Sequence, residues 1–558
     1  MARLYRFAVS SAIFGNLSLV LLLSHASTDF ANSLATSWQA EQLPVNWALS
    51  SRQIAMSTAP MTRNSAAAQL DMTPSSLPRF KWWFSLPRRR MSPRLYNPLS
   101  LLLLKKAYAD SKQVEYANTN GIPFLAMARR HGMTSTLSEF DGMQIDMSLL
   151  DKIEIQPDGK SVVLGGGVFA KNIMEKLWNA GYVTASGSTS CVGLLGPALG
   201  GGRGRLEGYY GVVSDSFLKL NVVLANGTAI TVSDTEHPDL FWAMKGAGHN
   251  FGVVTSLEMK IYPRGVDTWY YKTYIWTQDK LEAVFEASNN FHNDGNHAGH
   301  HLKEMAFNMG SYTIIPDISE TEGVIFWSFV YRGSKEEAQP YLDAFDAIEA
   351  VSTEDGNVPY PEIPGVSGTG MNSALCDYGL NHVHYPAGLK VWNVTTQRQI
   401  YDLYNEKIAE YPEFQRTTVN MEDYSHEGVN AIDPDTSAYP WRDRGLLSFI
   451  AVTYDPNPSL DEAAIAWAKE TRDLWNAGAP DLLPSTYVNY AHGDESTESM
   501  YGYEPWRLEK LRGLKAQYDP DNLFSYYNPI IPNLNPRSTH EENFQGRNIG
   551  AKSRGRGQ

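Results

Sequence analysis

Residues 191–263 read CVGLLGPALGGGRGRLEGYYGVVSDSFLKLNVVLANGTAITVSDTEHPDLFWAMKGAGHNFGVVTSLEMKIYP. Glycine gathers at Gly200-Gly201-Gly202-Arg203-Gly204 and again at Gly246-Ala247-Gly248, ahead of Phe251-Gly252-Val253-Val254. A residue without a Cβ accepts positive φ and lets peptide N–H groups come close to a phosphate or a planar ring. Between the two glycine turns, Leu220–Leu224 and Ala229–Val232 flank Asn226-Gly227, a hairpin-turn dipeptide, and His237–Met244 reads as a short helix. Two such loops around β-rich sequence point to a large phosphate-bearing ligand gripped mainly by backbone; a purely structural pair of turns is the alternative on pattern alone. A Rossmann dinucleotide site is disfavoured. Gly202-Arg-Gly204-Arg-Leu-Glu-Gly208 is one residue too long for that fingerprint, and no clear strand precedes it in a βαβ unit.

Outward from this stretch the chain keeps a regular rhythm. Leu99–Asn118 reads as a helix stopped at Asn120-Gly121, followed by a strand at Ile122–Met127. Ser161–Leu164 is a β run closing on three glycines, and Ala170–Ala180 a helix ending at Gly181. Beyond Pro263 aromatic strands (Trp269–Trp276, Val324–Val330) alternate with helices (Asp279–Phe291, Lys335–Ala350), the pattern of a second α+β unit. The Pro- and Gly-rich segment Val358–Gly370 reads as a surface loop within it, and there is no internal repeat.

A chain of 558 residues is too long for one core, and its 43% hydrophobic and 19% charged residues are ordinary for a globular protein. The net charge of −14 argues against nucleic acid as a partner, since phosphate contacts need clustered Lys and Arg. Aromatics at 12% suit a pocket for a flat organic ligand. Residues 1–26 carry two arginines, an apolar run broken by Ser10, Ser11, Asn16 and Ser18, and a small-residue site at Ser24-His25-Ala26. That pattern is a secretory signal rather than a membrane span, so a secreted protein with no stable membrane association is expected. Asn226-Gly-Thr228 and Asn393-Val-Thr395 are glycosylation sequons. Two cysteines, Cys191 and Cys376, allow one disulfide or none. His292, His297, His300 and His301 invite a metal reading, but Gly295 and Gly299 interrupt the helix that would align them; a solvated loop and no metal are expected. The tail 536–558 is polar and basic and is expected to be disordered.

Leu199-Gly-Gly-Gly202-x-Gly204-Arg-Leu-x-Gly208-x-Tyr210-Gly211, then Asp215, then Asp239-Leu-Phe-Trp-Ala-Met-Lys-Gly-Ala-Gly248-x-Asn250-Phe-Gly-Val-Val254-Thr closely resembles the FAD-linked oxidases of the berberine bridge enzyme type, whose FAD-binding fold is shared with vanillyl-alcohol oxidase. The C-terminal stretch is similar too: Tyr487-Val-Asn489-Tyr490, Tyr501-Gly502, Leu514-Lys515, Tyr518-Asp-Pro520 and Asn522-Leu-Phe524. The resemblance implies an α+β, PCMH-type two-subdomain FAD module over residues 106–265. It implies an inserted α+β substrate domain over 266–483, and a segment 484–535 that returns to the FAD module. Residues 27–105 do not match the family's early strand and helix; they are either a divergent replacement or sequence foreign to the functional protein.

Residue by residue, the resemblance places His131, beside Gly132, where the family bonds covalently to the flavin 8α-methyl. Ala128-Arg129-Arg130 stands where the family has glycines. The position of a second, cysteinyl attachment holds Thr189, with Cys191 two residues on, so one covalent bond at most is expected and Cys191 should be a buried thiol. Gly200, Gly201, Gly202, Gly204, Gly252, Val253, Val254 and Asn489 are the expected FAD contacts, and Tyr490 the catalytic base. In a regular strand Asn489 and Tyr490 would point to opposite faces. A phenol needs a positive field or donors to serve as a base near neutral pH. The implied function is an FAD oxidase, a monomer that takes hydride from a C–H beside O or N of a secondary metabolite or carbohydrate and reduces O2 to H2O2. A flavin dehydrogenase with little O2 reactivity, or a catalytically silent FAD-fold binding protein, are the alternatives.

Overall fold

Two antiparallel sheets organise the computed structural model, which describes residues 111–292 and 302–532. The first sheet has the strand order Ile153–Ile155, Ser161–Gly165, Val253–Lys260, Phe217–Val223, Ala229–Ser233. The hairpin is formed as its turn residues dictate: Leu220 pairs with Val232, and Gly227 takes φ +83°. Val254, Leu257 and Met259 of strand Val253–Lys260 share one core with helices Ala170–Asn179 and Pro238–Met244 and the C-terminal helix Pro505–Tyr518. Phe124–Met127 pairs in parallel with Met143–Asp146 beside it, after residues 111–119, which are helical.

The second sheet has seven strands in the order Ser352–Val358, Trp269–Trp276, Ser319–Tyr331, Met305–Ile315, Thr418–Asp423, Leu446–Tyr454, Asn381–Leu389. Period-two alternation divides its residues. Tyr312, Val419, Met421, Ile450 and Val452 join one core with helices Leu281–His292, Lys335–Asp346, Val394–Glu410 and Asp461–Ala477. Their neighbours Ser311, Thr418, Asn420, Glu422, Phe449 and Ala451 face a cavity on the other side. A third cluster, containing Met174, Trp178, Leu206, Trp269 and Phe307, packs residues of the two sheets' surroundings against each other.

The C-terminal segment is tied to the second glycine turn by a buried ion pair. Lys515 Nζ lies 2.6 Å from Asp519 Oδ2, both side chains fully buried, and donates to the carbonyls of Asn250 and Phe524 at 2.9 Å each. Asp519 in turn accepts from the backbone N–H groups of Leu523 and Phe524. Asn250 accepts from the Ile530 N–H and donates to Tyr501 Oη, so every polar atom of this knot has a partner. Tyr501, Lys515, Asp519 and Phe524 of the C-terminal motif are therefore structural staples.

Three expectations are corrected. Cys191 is not a thiol: it forms a disulfide with Cys376, 185 residues away, across the two parts of the chain. Val358–Gly370 is not a surface loop. It contains the short helical turns Tyr360–Glu362 and Ile363–Val366, and Tyr360 and Ile363 are buried against Trp178 and Trp269, because its aromatic and aliphatic residues outweigh its prolines and glycines. Tyr487–Tyr490 is not a strand; Tyr490 N–H closes a turn on the Tyr487 carbonyl. The signal at 1–26, the segment 27–105, the start of the helix at Leu99, His297, His300 and His301, and the tail lie outside the described residues. Among the described residues no helix is long and apolar enough to cross a membrane, and no group of three His, Cys, Asp or Glu could hold a metal ion.

Two outcomes follow for stability. Lys515→Ala strands the Asp519 carboxylate in the core and is expected to cost about 3–5 kcal/mol, read as a fall in the denaturant midpoint. The disulfide closes a long loop, so Cys191→Ser with Cys376→Ser is expected to cost about 2–4 kcal/mol, matched by the wild type under reductant.

Candidate active site

A cavity of about 840 Å³ runs between the two sheets. One side is built from Phe124–Met133, the loop 187–199 and Gly252-Val253-Val254; the other is the open face of the seven-stranded sheet. The C-terminal residues Asn489, Tyr490, Phe524, Tyr526 and Tyr527 close the gap between them. The turn at Val488–Tyr490 is what lets Asn489 and Tyr490 both face the cavity, where a regular strand would have separated them.

His131, Gly132, Gly252, Val253, Val254, Asn489 and Tyr490 all reach the cavity wall. Gly200, Gly201, Gly202 and Gly204 do not; they stand one layer behind it. A Cβ on Gly200 would lie 2.4 Å from Asn489 Oδ1, and one on Gly204 would lie 2.0 Å from the Ser186 carbonyl. Gly201 and Gly202 hold φ of +101° and +81° against Tyr439 and Val213. This glycine run is the bend that sets Pro197 and Arg203 in the wall. The cavity-lining glycines with open space at the Cβ position are Gly187, Gly196 and Gly368, which the sequence reading passed over.

At one end of the cavity His131 keeps Nε2 buried and unpartnered. Burial first, then the nearby Arg129 charge, holds its imidazole below the usual range and hence neutral. Arg129 donates from Nε to the Cys191 carbonyl and lies over the Phe169 ring, and Tyr378 Oη donates to the Arg129 carbonyl. Both arginines line the cavity, and Arg130 adopts φ +62°, a conformation that costs a residue with a side chain about 1–2 kcal/mol and costs glycine nothing comparable. Thr189, at the position matched to a second attachment, lines the cavity without sulfur, and Cys191 is committed to its disulfide.

Asn489 ties the C-terminal turn to the glycine loop: Nδ2 donates to the Pro197 carbonyl at 2.8 Å, while Oδ1 is buried with no partner. Tyr490 Oη lies 3.3 Å from both carboxylate oxygens of Glu422. Glu422 is the residue the sequence reading missed. It ends the strand Thr418–Asp423, in the part of the chain with no motif; the only trace was a pair of acids closing an apolar strand. Burial pushes its carboxyl up to about 7, against the pull of Arg203 and the hydrogen bond from Tyr490. Burial and the Glu422 charge drive the Tyr490 phenol well above its usual range. The positive field that a phenolate would need therefore acts on Glu422 instead.

That field comes from the glycine loop. Arg203 forks onto Glu207 and reaches His426 and the Gly445 carbonyl. Arg205 bonds the Ser188 carbonyl, Ser367 and Thr369. Both guanidinium groups are buried, and both pull on the Glu422 carboxylate. A carboxylate poised near neutral pH beside a phenol, facing a cavity large enough for a big ligand, can accept a proton from a bound hydroxyl or amine.

The residues present fit FAD: Gly187 and Gly196 leave open space at the wall of a cavity of about 840 Å³, and His131 and Asn489, which line it, carry buried polar atoms without partners. Residues 101–233 match the family described as FAD binding domain, and residues 486–531 the family described as berberine and berberine like. The chain is 54% identical to the FAD-linked oxidoreductase anuG of Penicillium roqueforti (strain FM164), over 75% of this chain and 81% of that one. Among solved structures, Physcomitrella patens BBE-like 1 superposes with a TM-score of 0.64 at 19% identity, over 76% of this chain and 89% of that one. A glucooligosaccharide oxidase of Acremonium strictum, described as carrying 6-S-cysteinyl, 8α-N1-histidyl FAD, gives 0.62 at 18% identity, over 77% and 90%. These likenesses to solved structures place the fold among PCMH-type FAD-binding proteins of α+β architecture. With close relatives aligned along most of its length and both family segments in order, the chain belongs to the berberine-bridge-enzyme-like FAD-linked oxidoreductases and is an FAD-dependent oxidoreductase.

Proposed function

We propose that this protein is an oxidase that converts a C–H beside an oxygen or nitrogen of a small organic substrate to the corresponding C=O or C=N. The observation that carries the reading is the pairing of half-buried Tyr490 with buried Glu422 on the cavity wall. Bound FAD supplies the hydride acceptor and passes the electrons to O2, giving H2O2. The chain's own part is orientation and proton handling. Tyr490 and Glu422 share the cavity wall with Oη 3.3 Å from the carboxylate, so a substrate O–H or N–H can give its proton to Tyr490 Oη while the tyrosine's proton moves to Glu422. The phenol then never has to be a free phenolate, which its surroundings oppose. Arg203 and Arg205 keep Glu422 ionised enough to accept near neutral pH.

His131 is the proposed site of a single covalent bond to FAD, supported by its neutral ring in the cavity wall with Nε2 unpartnered. Gly132, Gly252, Val253, Val254 and the Asn489 amide would bound the cofactor, with Gly187 and Gly196 giving it room. Export through residues 1–26, an extracellular location and a monomeric state belong to the same proposal, and the disulfide supports an oxidising compartment.

Glu422 must be deprotonated to accept a proton, so turnover is expected to rise as pH passes through about 7 and to level off above it. Glu422→Gln should lower kcat by about 10²–10⁴ and abolish that rise; an unchanged rate and pH profile would refute the proton path. Peroxide release in air-saturated buffer separates an oxidase from a dehydrogenase. On a denaturing gel the wild-type band should keep flavin fluorescence and His131→Ala should lose it. Peptide mapping should find flavin on His131 and none on Thr189 or Cys191.

A further inference from the structure

Polar residues on the cavity face of the seven-stranded sheet bond mostly to one another. Ser311 Oγ donates to Asn420 Oδ1, and Asn420 Nδ2 donates to Thr418 Oγ1, each at 2.8 Å. His382 Nδ1 pairs with Thr453 Oγ1 at 3.0 Å. What this wall offers a ligand is therefore largely apolar: Met309, Phe326, Phe449 and Ala451. A carbohydrate, with a hydroxyl on nearly every carbon, would find few free partners here.

His384 breaks the pattern. It sits on the same face of strand Asn381–Leu389, opposite Ala451, with no exposure to bulk water. Both its ring nitrogens are buried without a hydrogen-bond partner. Leaving such atoms unpaired is costly, so a ligand group that pairs them gains affinity. Its ring lies 5.7 Å from Phe449, and Phe449 lies 4.6 Å from Tyr490. One phenyl ring thus separates the proposed proton acceptor from the unpaired imidazole. Burial, with His382 and His492 nearby, holds His384 neutral, so it presents one donor and one acceptor rather than a charge.

We propose that His384 is a specificity-determining residue. On this proposal it hydrogen-bonds a neutral hydroxyl or carbonyl at the far end of an elongated, largely aromatic alcohol, whose body packs along Phe449 and whose reacting carbon lies at Tyr490. The inference rests on the reading of Tyr490 and Glu422 above for which end of the substrate reacts.

Two probes decide it with flavin-loaded protein: para-hydroxymethyl biphenyl, and the same molecule with a hydroxyl on the far ring. Binding is read from the flavin absorbance shift and from thermal shift, independently of turnover. The wild type should bind the hydroxylated probe about tenfold more tightly than the plain one. His384→Phe should erase that difference while leaving the plain probe's affinity unchanged, and His384→Gln should restore part of it. Equal binding of the two probes by wild type would overturn the proposal, as would an equal loss for both in His384→Phe or tighter binding of cellobiose than of either biphenyl. Selective binding without any bleaching of the flavin would leave His384 in its role and count against the alcohol-oxidation reading instead.

Discussion

The fully buried Lys515–Asp519 pair is the constraint on which the site depends. Its ammonium satisfies the carbonyls of Asn250 and Phe524, and its carboxylate takes the N–H groups of Leu523 and Phe524. Two charges removed from water are tolerable only when all of these partners are present, so the segment can dock in one way. Docked so, it brings Asn489 onto the Pro197 carbonyl and turns Tyr490 into the cavity. The disulfide between Cys191 and Cys376 fastens the opposite end, beside His131 and Arg129.

Between these two fastenings the chemistry is set by which charges share a low-dielectric space. Arg203 and Arg205 leave the glycine loop in directions that surround Glu422 rather than Tyr490. A carboxylate in such a place titrates near neutrality, while a phenol facing it is held protonated. In the proposed proton path the tyrosine expected to act as a base in its own right becomes the link between a bound hydroxyl or amine and a carboxylate. The seven-stranded sheet adds the substrate side. Alternation places four helices on one face and leaves the other to define what can bind, through residues that are chemically quiet except for Glu422 and His384.

Much of the frame was legible along the chain because it is written in local signals. Asn226-Gly227 made its hairpin, Trp269–Trp276 its strand, and the returning C-terminal motif could be located residue by residue. Where local signals misled, long-range packing was the cause. The glycines Gly200–Gly204 looked like ligand contacts, since close approach to a ligand and close approach to Asn489 or Ser186 make the same demand on a side chain. Val358–Gly370 looked like a loop by composition, yet Tyr360 and Ile363 had a hydrophobic surface waiting on Trp269.

The sequence by itself determined the cofactor class, through ordered motifs that resemble the FAD-linked oxidases, and the α+β organisation, through its alternation of strands and helices, because both are carried by residues close together along the chain. It also placed His131 and Tyr490 at matching positions. Only the tertiary structure decided that Cys191 pairs with Cys376, that Glu422 stands beside Tyr490, and that His384 lies one ring away. Each of those relations joins residues tens to hundreds of positions apart, on strands whose alternation names a face without naming what it faces. A carboxylate at a strand end carries no mark of function until folding removes its water and sets its neighbours.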